Sequence, residues 1–278
     1  MEVVFMNVKH KYSLLGLKLF TGFLLLITQQ AVFAQSDQDM AKEVANPLTS
    51  LTYLPLQLNY DSNIGPVDDG DRVSFNIQPL TSFSLNDDWS VISRTIFPII
   101  KQNDIYPSAG SQSGLGDIVQ SFFFSPVQAT ESGWIWGAGP AILLPTATDD
   151  LLGADKWGIG PTVVGAKVTG PWTFGVLANH IVSFSGRSSD KQDVNATFVQ
   201  PFLDYTTESA VTYEITTEST YNHESDEWSV PVVLTANILT QIGDQLIMYG
   251  GGVRYWAKSA ESDPEDWSFN LVLYFLYP

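Results

Sequence analysis

Cysteine is absent from this 278-residue chain, which excludes a disulfide framework, a thiol nucleophile and a zinc-thiolate site. Basic side chains are scarce, 13 lysines and arginines against 30 aspartates and glutamates. The net charge of −17 repels polyanions and argues against nucleic acid as a partner. Histidine occurs only three times, so conventional general bases are few. Charged residues of both signs make up 15% of the chain and aromatics 13%, a mixture expected where much of the surface faces lipid. Apolar runs of helical membrane-spanning length are missing as well: the run over 19–27 falls well short of the roughly 20 residues required.

What that run does resemble is a leader. Lys9, Lys11 and Lys18 precede it, and Val32-Phe33-Ala34 supplies small residues at the two positions a signal peptidase reads. Residues 1–34 are therefore expected to form a signal peptide cleaved near Ala34, with Gln35 the first mature residue. Cleavage removes three lysines and one glutamate, taking the net charge from −17 to −19. Export without a helical anchor leaves the periplasm, the outer membrane or the medium. The far end of the chain selects among these. Trp267, Phe269, Leu271, Leu273, Phe275 and Tyr277 alternate with Ser268, Asn270, Val272, Tyr274 and Leu276, so one face is wholly apolar and aromatic at both ends. A chain ending on such a strand reads as a barrel closing in lipid.

Period-two patterning extends through the chain in about twelve segments, each long enough for a tilted strand to cross a bilayer. They fall at 51–60, 73–85, 89–101, 115–127, 134–145, 157–168, 172–184, 194–205, 210–221, 228–239, 246–258 and 267–277. Segments four and five are apolar on both faces, so their facing stays open. The connections alternate. Those at 61–72, 102–114, 146–156, 185–193, 222–227 and 259–266 are long; those at 86–88, 128–133, 169–171, 206–209 and 240–245 are turn-like. Trp89, Trp134, Trp157, Trp172, Trp228 and Trp267 mark strand boundaries, where interfacial girdles sit. The expected fold is all-β: a single antiparallel transmembrane β-barrel over 51–278 of about 12 strands, with 10–14 as the range. Short periplasmic turns and longer external loops put both termini in the periplasm. Residues 35–50 are too polar for a strand. Met40, Val44, Ala45 and Leu48 lie near helical spacing there, and Pro47 limits any helix; a helix tucked into the periplasmic mouth and an unbound tail are both open.

If the apolar faces meet lipid, the opposite faces define a lumen. Its candidates are Gln57, Asn59, Asn76, Gln78, Arg94, Gln120, Gln200, Asp204, Glu214, Glu218, Asn237, Arg254, Lys258 and Asn270. A lipid-facing arginine at mid-membrane costs about 2–4 kcal/mol, so Arg94 and Arg254 are expected to point inward, with Asp204, Glu214 and Glu218 as available partners. Such pairs either form a selective constriction or simply knit a narrow interior. The external loops carry Asp68, Asp69 and Asp71, then Asp149, Asp150 and Asp155, then Glu224, Asp226, Glu227, Glu261, Asp263, Glu265 and Asp266. These clusters could bind divalent cations or bridge to lipopolysaccharide through them, but none has the spacing of a calcium loop, and charged loops are usually just solvated. After loss of His10 with the leader, His180 and His223 remain as bases. Ser183 lies near His180 in sequence but on the opposite strand face, and nothing else resembles a nucleophile elbow, a phosphate loop or a metal triad, so no cofactor and no enzyme activity are expected.

A run of motifs adds a resemblance covering nearly the whole mature chain. It includes Asn46-Pro47-Leu48, Gly114-Leu115-Gly116-Asp117-Ile118, Ser121-Phe122-Phe123-Phe124-Ser125-Pro126 and Leu144-Pro145-Thr146-Ala147-Thr148-Asp149-Asp150. Lys156-Trp157-Gly158, Gly170-Pro171-Trp172-Thr173, Ala178-Asn179-His180, Gln200-Pro201-Phe202-Leu203 and Thr217-Glu218-Ser219-Thr220-Tyr221 continue it. The chain resembles the bacterial outer-membrane family named for the MetA pathway of phenol degradation. That resemblance implies a porin-like channel or transporter for small solutes, aromatic or hydrophobic compounds among them. Implied partners are outer-membrane lipid, lipopolysaccharide, the solute, and the barrel-assembly machinery acting on the last strand. An outer-membrane lipid or ester hydrolase and a structural or adhesive barrel are the alternatives.

Overall fold

Alternating side chains force a choice of face on every strand, and in this chain the choice is consistent from one strand to the next. The computed structural model describes residues 35–106, 108–186, 191–260 and 263–277. The expected leader over 1–34 lies outside the described residues, as do His10 and Glu261. Among the described residues one helix, α1 (Gln35–Ala45), precedes fifteen strands. These are β1 (Thr52–Ile64), β2 (Gly70–Ile77), β3 (Leu80–Ser84), β4 (Trp89–Asn103), β5 (Ser111–Leu115), β6 (Ile118–Pro126), β7 (Trp134–Leu144) and β8 (Lys156–Thr169). They continue with β9 (Trp172–Gly186), β10 (Asn195–Thr206), β11 (Val211–Thr217), β12 (Ser219–Asn222), β13 (Glu227–Ile242), β14 (Gln245–Lys258) and β15 (Asp266–Tyr277).

All fifteen belong to one antiparallel sheet that closes on itself. Sequential neighbours pair throughout, and β15 returns to β1 in a register running from Thr52↔Tyr277 to Tyr60↔Phe269. Because β2 and β3, β5 and β6, and β11 and β12 are each two pieces of one stave, the wall has twelve staves. Each break has a local cause. Pro79, lacking an N–H, interrupts the second stave, which rejoins through Gln78 N to Pro55 O and Thr95 N to Pro79 O. At Gly116-Asp117 the Asp117 carboxylate accepts from Ala147 N at 3.0 Å and Ala154 N at 2.6 Å, anchoring the 145–155 loop. At Glu218 the chain leaves the ladder as the side chain reaches Arg254.

The outer surface is apolar. Leu58, Phe83, Ile99, Phe124, Val163, Val176, Leu203, Leu234 and Leu271 are all exposed in a band around the wall. Aromatics flank it. At the end carrying the termini, Trp89 meets Trp136, Trp134 meets Phe174 and Trp172 meets Tyr205; at the loop end, Tyr221 meets Trp228 and Tyr255 meets Trp267. So large a continuous apolar surface is stable against lipid and not against water. No helix among the described residues is long and apolar enough to cross a membrane.

Helix α1 stops where Asn46 precedes Pro47, which disfavours helical φ/ψ and removes a donor. Asn46 Oδ1 then accepts from Leu48 N, and Thr49 Oγ1 donates to Glu43 Oε2 at 2.8 Å, folding the connection back on the helix. Its buried Ala41 and Val44 pack inside the barrel against Tyr53, Leu80, Phe123, Val164, Leu177 and Met248, drawn from opposite walls. Gln38 Nε2 donates to Thr206 O at 3.2 Å, and fully burying a valine contributes about 1.5–3 kcal/mol. The helix and this apolar layer close the bore at the terminal end.

Candidate functional site

Above that floor the inward faces enclose a cavity of about 190 Å³. Of the sequence-derived candidates, Gln57, Gln78, Arg94, Gln200, Asp204, Glu214, Glu218, Asn237 and Asn270 line it. Arg254 lies just beyond, on β14, with only 6% of its surface exposed. Asn59 and Asn76 lie on β1 and β2 outside its lining, and Gln120 and Lys258 lie elsewhere. Gln120 pairs with Thr95 across β6 and β4, one residue out of phase with inward Ser121 and Arg94. Its amide therefore lies on the outer face, where it accepts from Thr95 Oγ1 at 2.5 Å and donates to Ser93 Oγ at 3.0 Å. Lys258 follows the bulge at Val230/Pro231, which shifts the register, and ends β14 as an exposed rim residue opposite Val230.

The polar lumenal residues form one connected chain. Arg94 Nη2 donates to Gln78 Oε1 at 2.9 Å, Gln78 Nε2 to Gln57 Oε1 at 2.7 Å, and Gln57 Nε2 to Asn59 Oδ1 at 3.2 Å. Asn59 Oδ1 also accepts from Arg254 Nη2 at 3.4 Å. Arg254 is the hub: Nη2 reaches Glu218 Oε2 at 2.8 Å, Nη1 reaches Asp61 Oδ1 at 3.6 Å, and its guanidinium lies 5.8 Å from the Trp256 ring. So the expected carboxylate partner of Arg254 is Glu218, while Arg94 contacts an amide. Asp61 escaped sequence reasoning because β1 runs four residues past Tyr60, into what reads as an acidic loop.

On the facing wall Thr235 Oγ1 donates to Glu214 Oε2 at 3.2 Å and accepts from Asn237 Nδ2 at 3.3 Å. Gly250 sits opposite Asn237, and a Cβ there would stand 2.0 Å from Asn237 Oδ1, so the missing side chain is what makes room for that amide. Tyr53 and Tyr274, with ring centroids 6.1 Å apart, separate the polar wall from the apolar floor.

The loop clusters are used locally. Asp149 Oδ1 caps Leu151 N, Asp71 accepts from Asn103, Tyr221 donates to Asp226, and Ser229 donates to Asp263. Among the described residues no three histidine, aspartate or glutamate side chains converge on a possible metal position. Exposed Asp193 takes a hydrogen bond from the buried Lys156 ammonium at 3.0 Å, which holds its carboxyl below the usual range.

His180 and His223 both lie on the outer face at the loop end. Thr197 Oγ1 is 2.9 Å from His180 Nδ1 and 2.9 Å from His223 Nε2, a juxtaposition brought about by the β9–β10–β12 register. Ser183 faces inward and accepts from Val194 N.

No protein-family model matches the chain, and no curated protein matches it. Among solved structures it is similar to an outer membrane channel from Pseudomonas putida F1, with a TM-score of 0.63 and 16% identity over 82% of this chain and 96% of that one. It is also similar to the NanC porin, with a TM-score of 0.50 and 12% identity over 80% of this chain and 98% of that one. At these identities what is shared is the fold, a closed antiparallel barrel of the outer-membrane channel and porin type.

Proposed function

We propose that the protein is an outer-membrane channel for small solutes, aromatic or otherwise hydrophobic compounds among them. Its long loops are external, both termini are periplasmic, residues 1–34 are removed on export, and the lipid-facing wall contacts lipopolysaccharide. The barrel-assembly machinery recognises β15. The observation that carries this reading is the lumen itself: a cavity with one polar wall resting on an apolar floor, closed at the terminal end by α1 rather than by the wall. Its motifs favour the MetA-pathway phenol-degradation family. In this reading 35–50 is an occluding segment and 51–278 the conduit. The test is conductance and liposome swelling for the mature chain and for a chain lacking 35–48. The intact protein should conduct weakly and the deletion several-fold more. A deletion that inserts and shows heat-modifiable migration, yet conducts no better than empty bilayer, would falsify passage.

A second reading draws on Thr197 between two imidazoles on the lipid-facing surface. A hydroxyl with bases at hydrogen-bond distance is the core of a nucleophilic hydrolase, here for lipid esters. Among the described residues no orienting acid or amide of a triad is seen on either imidazole, and the Thr197 amide belongs to a strand rather than to an oxyanion hole. Ester turnover abolished by T197A and H180A would favour it; turnover unchanged in both would remove it.

A further inference from the structure

The cavity wall formed by β10, β11, β13 and β15 is rich in hydrogen-bond acceptors. Asp204 and Glu214 stand directly opposite each other across β10 and β11, a placement in which like charges repel. Asp204 is 4% exposed, and Glu214 receives only the Thr235 hydroxyl. Among the described residues neither carboxylate has a cation within ion-pair distance: Arg254 is committed to Asp61 and Glu218, and Arg94 donates to Gln78. Asn237 and Asn270, each 4% exposed and lining the same cavity, each keep a buried Oδ1 with no donor.

Two carboxyl groups and two unpaired amide oxygens offer open acceptors to a visitor that brings both positive charge and several N–H donors. A divalent metal fits poorly, because hard cations need six to eight oxygens and no group of three ligating side chains converges there. A primary ammonium supplies three donors on a compact charge. The floor of Tyr53, Phe123 and Val164 would take an apolar body attached to it.

We propose that the lumen selects small organic amines, holding the ammonium between Asp204 and Glu214 with Asn237 and Asn270 as further acceptors, and resting the aryl or alkyl portion on the apolar floor. This rests on the reading of the lumen as a solute conduit and names the class of solute. The test uses the mature protein in lipid nanodiscs with three matched probes: 2-phenylethylamine, 2-phenylethanol and 3-phenylpropionate. Calorimetric titration should show the amine binding at least tenfold tighter than the alcohol, with the acid weakest, and the double variant D204N/E214Q, verified as folded by heat-modifiable migration, should lose the preference. Equal binding of amine and alcohol by the wild-type protein overturns the proposal without recourse to any variant, and so does a preference that survives in D204N/E214Q. Tight amine binding without amine flux into liposomes sustains the amine site while sinking passage; flux of all three probes at one rate sustains passage while sinking the amine site.

Discussion

Arg254 is the side chain on which the lumenal network depends, because it is buried and shared among Asn59, Asp61 and Glu218. Removing one partner of a buried ion pair is costlier than replacing the whole pair, because it leaves the other charge uncompensated. We therefore expect E218Q to destabilise the barrel by about 1–3 kcal/mol, read as a lower temperature for loss of the fast-migrating folded band. An unchanged transition would mean that Asp61 alone compensates. At the loop end, the Lys156–Asp193 pair gives a pH signature. Since the Asp193 carboxyl is held low, its stabilisation is present above the ordinary aspartate range and is lost as pH falls through the depressed value. Amide protection factors at the Lys156↔Gly186 end of β8 and β9, corrected for the intrinsic pH dependence of exchange, should fall on acidification and stay level in D193N; an equal fall in both proteins would rule the pair out as its cause. Arg94 and Arg254 were legible as inward residues because charge within an apolar alternation has one affordable side. Gln120 was not, since its segment is apolar on both faces and Ser93 and Thr95 satisfy its amide on the outside. Lys258 was misread because a bulge beside Pro231 shifts the parity that strand reading relies on.

Among the elements, α1 is set apart by having no ladder of its own. Its hydrophobic spacing and its stop at Asn46-Pro47 are readable in one dimension, but the apolar cluster its stripe joins is drawn from staves far apart in the chain and has no local signature. Val44→Glu would put a charge into that layer. We expect it to expel the helix, raising single-channel conductance and opening the stretch around Lys42 to trypsin while far-ultraviolet circular dichroism keeps its strand signal. Conductance and cleavage both at wild-type levels would show that α1 keeps its place without the packing of Val44. Asp117 plays a comparable part for the 145–155 loop through two backbone bonds. D117A should free that loop, seen as new proteolytic cuts within 145–155, and leave barrel insertion intact.

For the whole molecule, the decisive pairing is β1 with β15, which joins the first and last staves. The twelve-stave count and the long–short rhythm of connections were visible in the sequence because a barrel repeats one simple unit, and each repeat corroborates the next. The three broken staves were not visible, since a break needs only one proline, glycine or diverted side chain. Deleting 267–278 would expose the paired edges of both β14 and β1 to hydrocarbon, where each unmet backbone group costs several kcal/mol. Such a chain should fail to insert and should accumulate as a protease-sensitive form; a resistant, heat-modifiable product would show that eleven staves can close.

Those breaks, at Pro79, Gly116-Asp117 and Glu218, also make the wall mechanically uneven. A continuous ladder resists bending along its whole length, whereas a stave missing a rung acts as a local hinge, so fluctuations in bore diameter should concentrate at these three places. Flicker in the open-channel current would then originate at the hinges rather than in the loops, and Pro79→Thr, which restores a donor to the second stave, should quieten the recording without changing its mean.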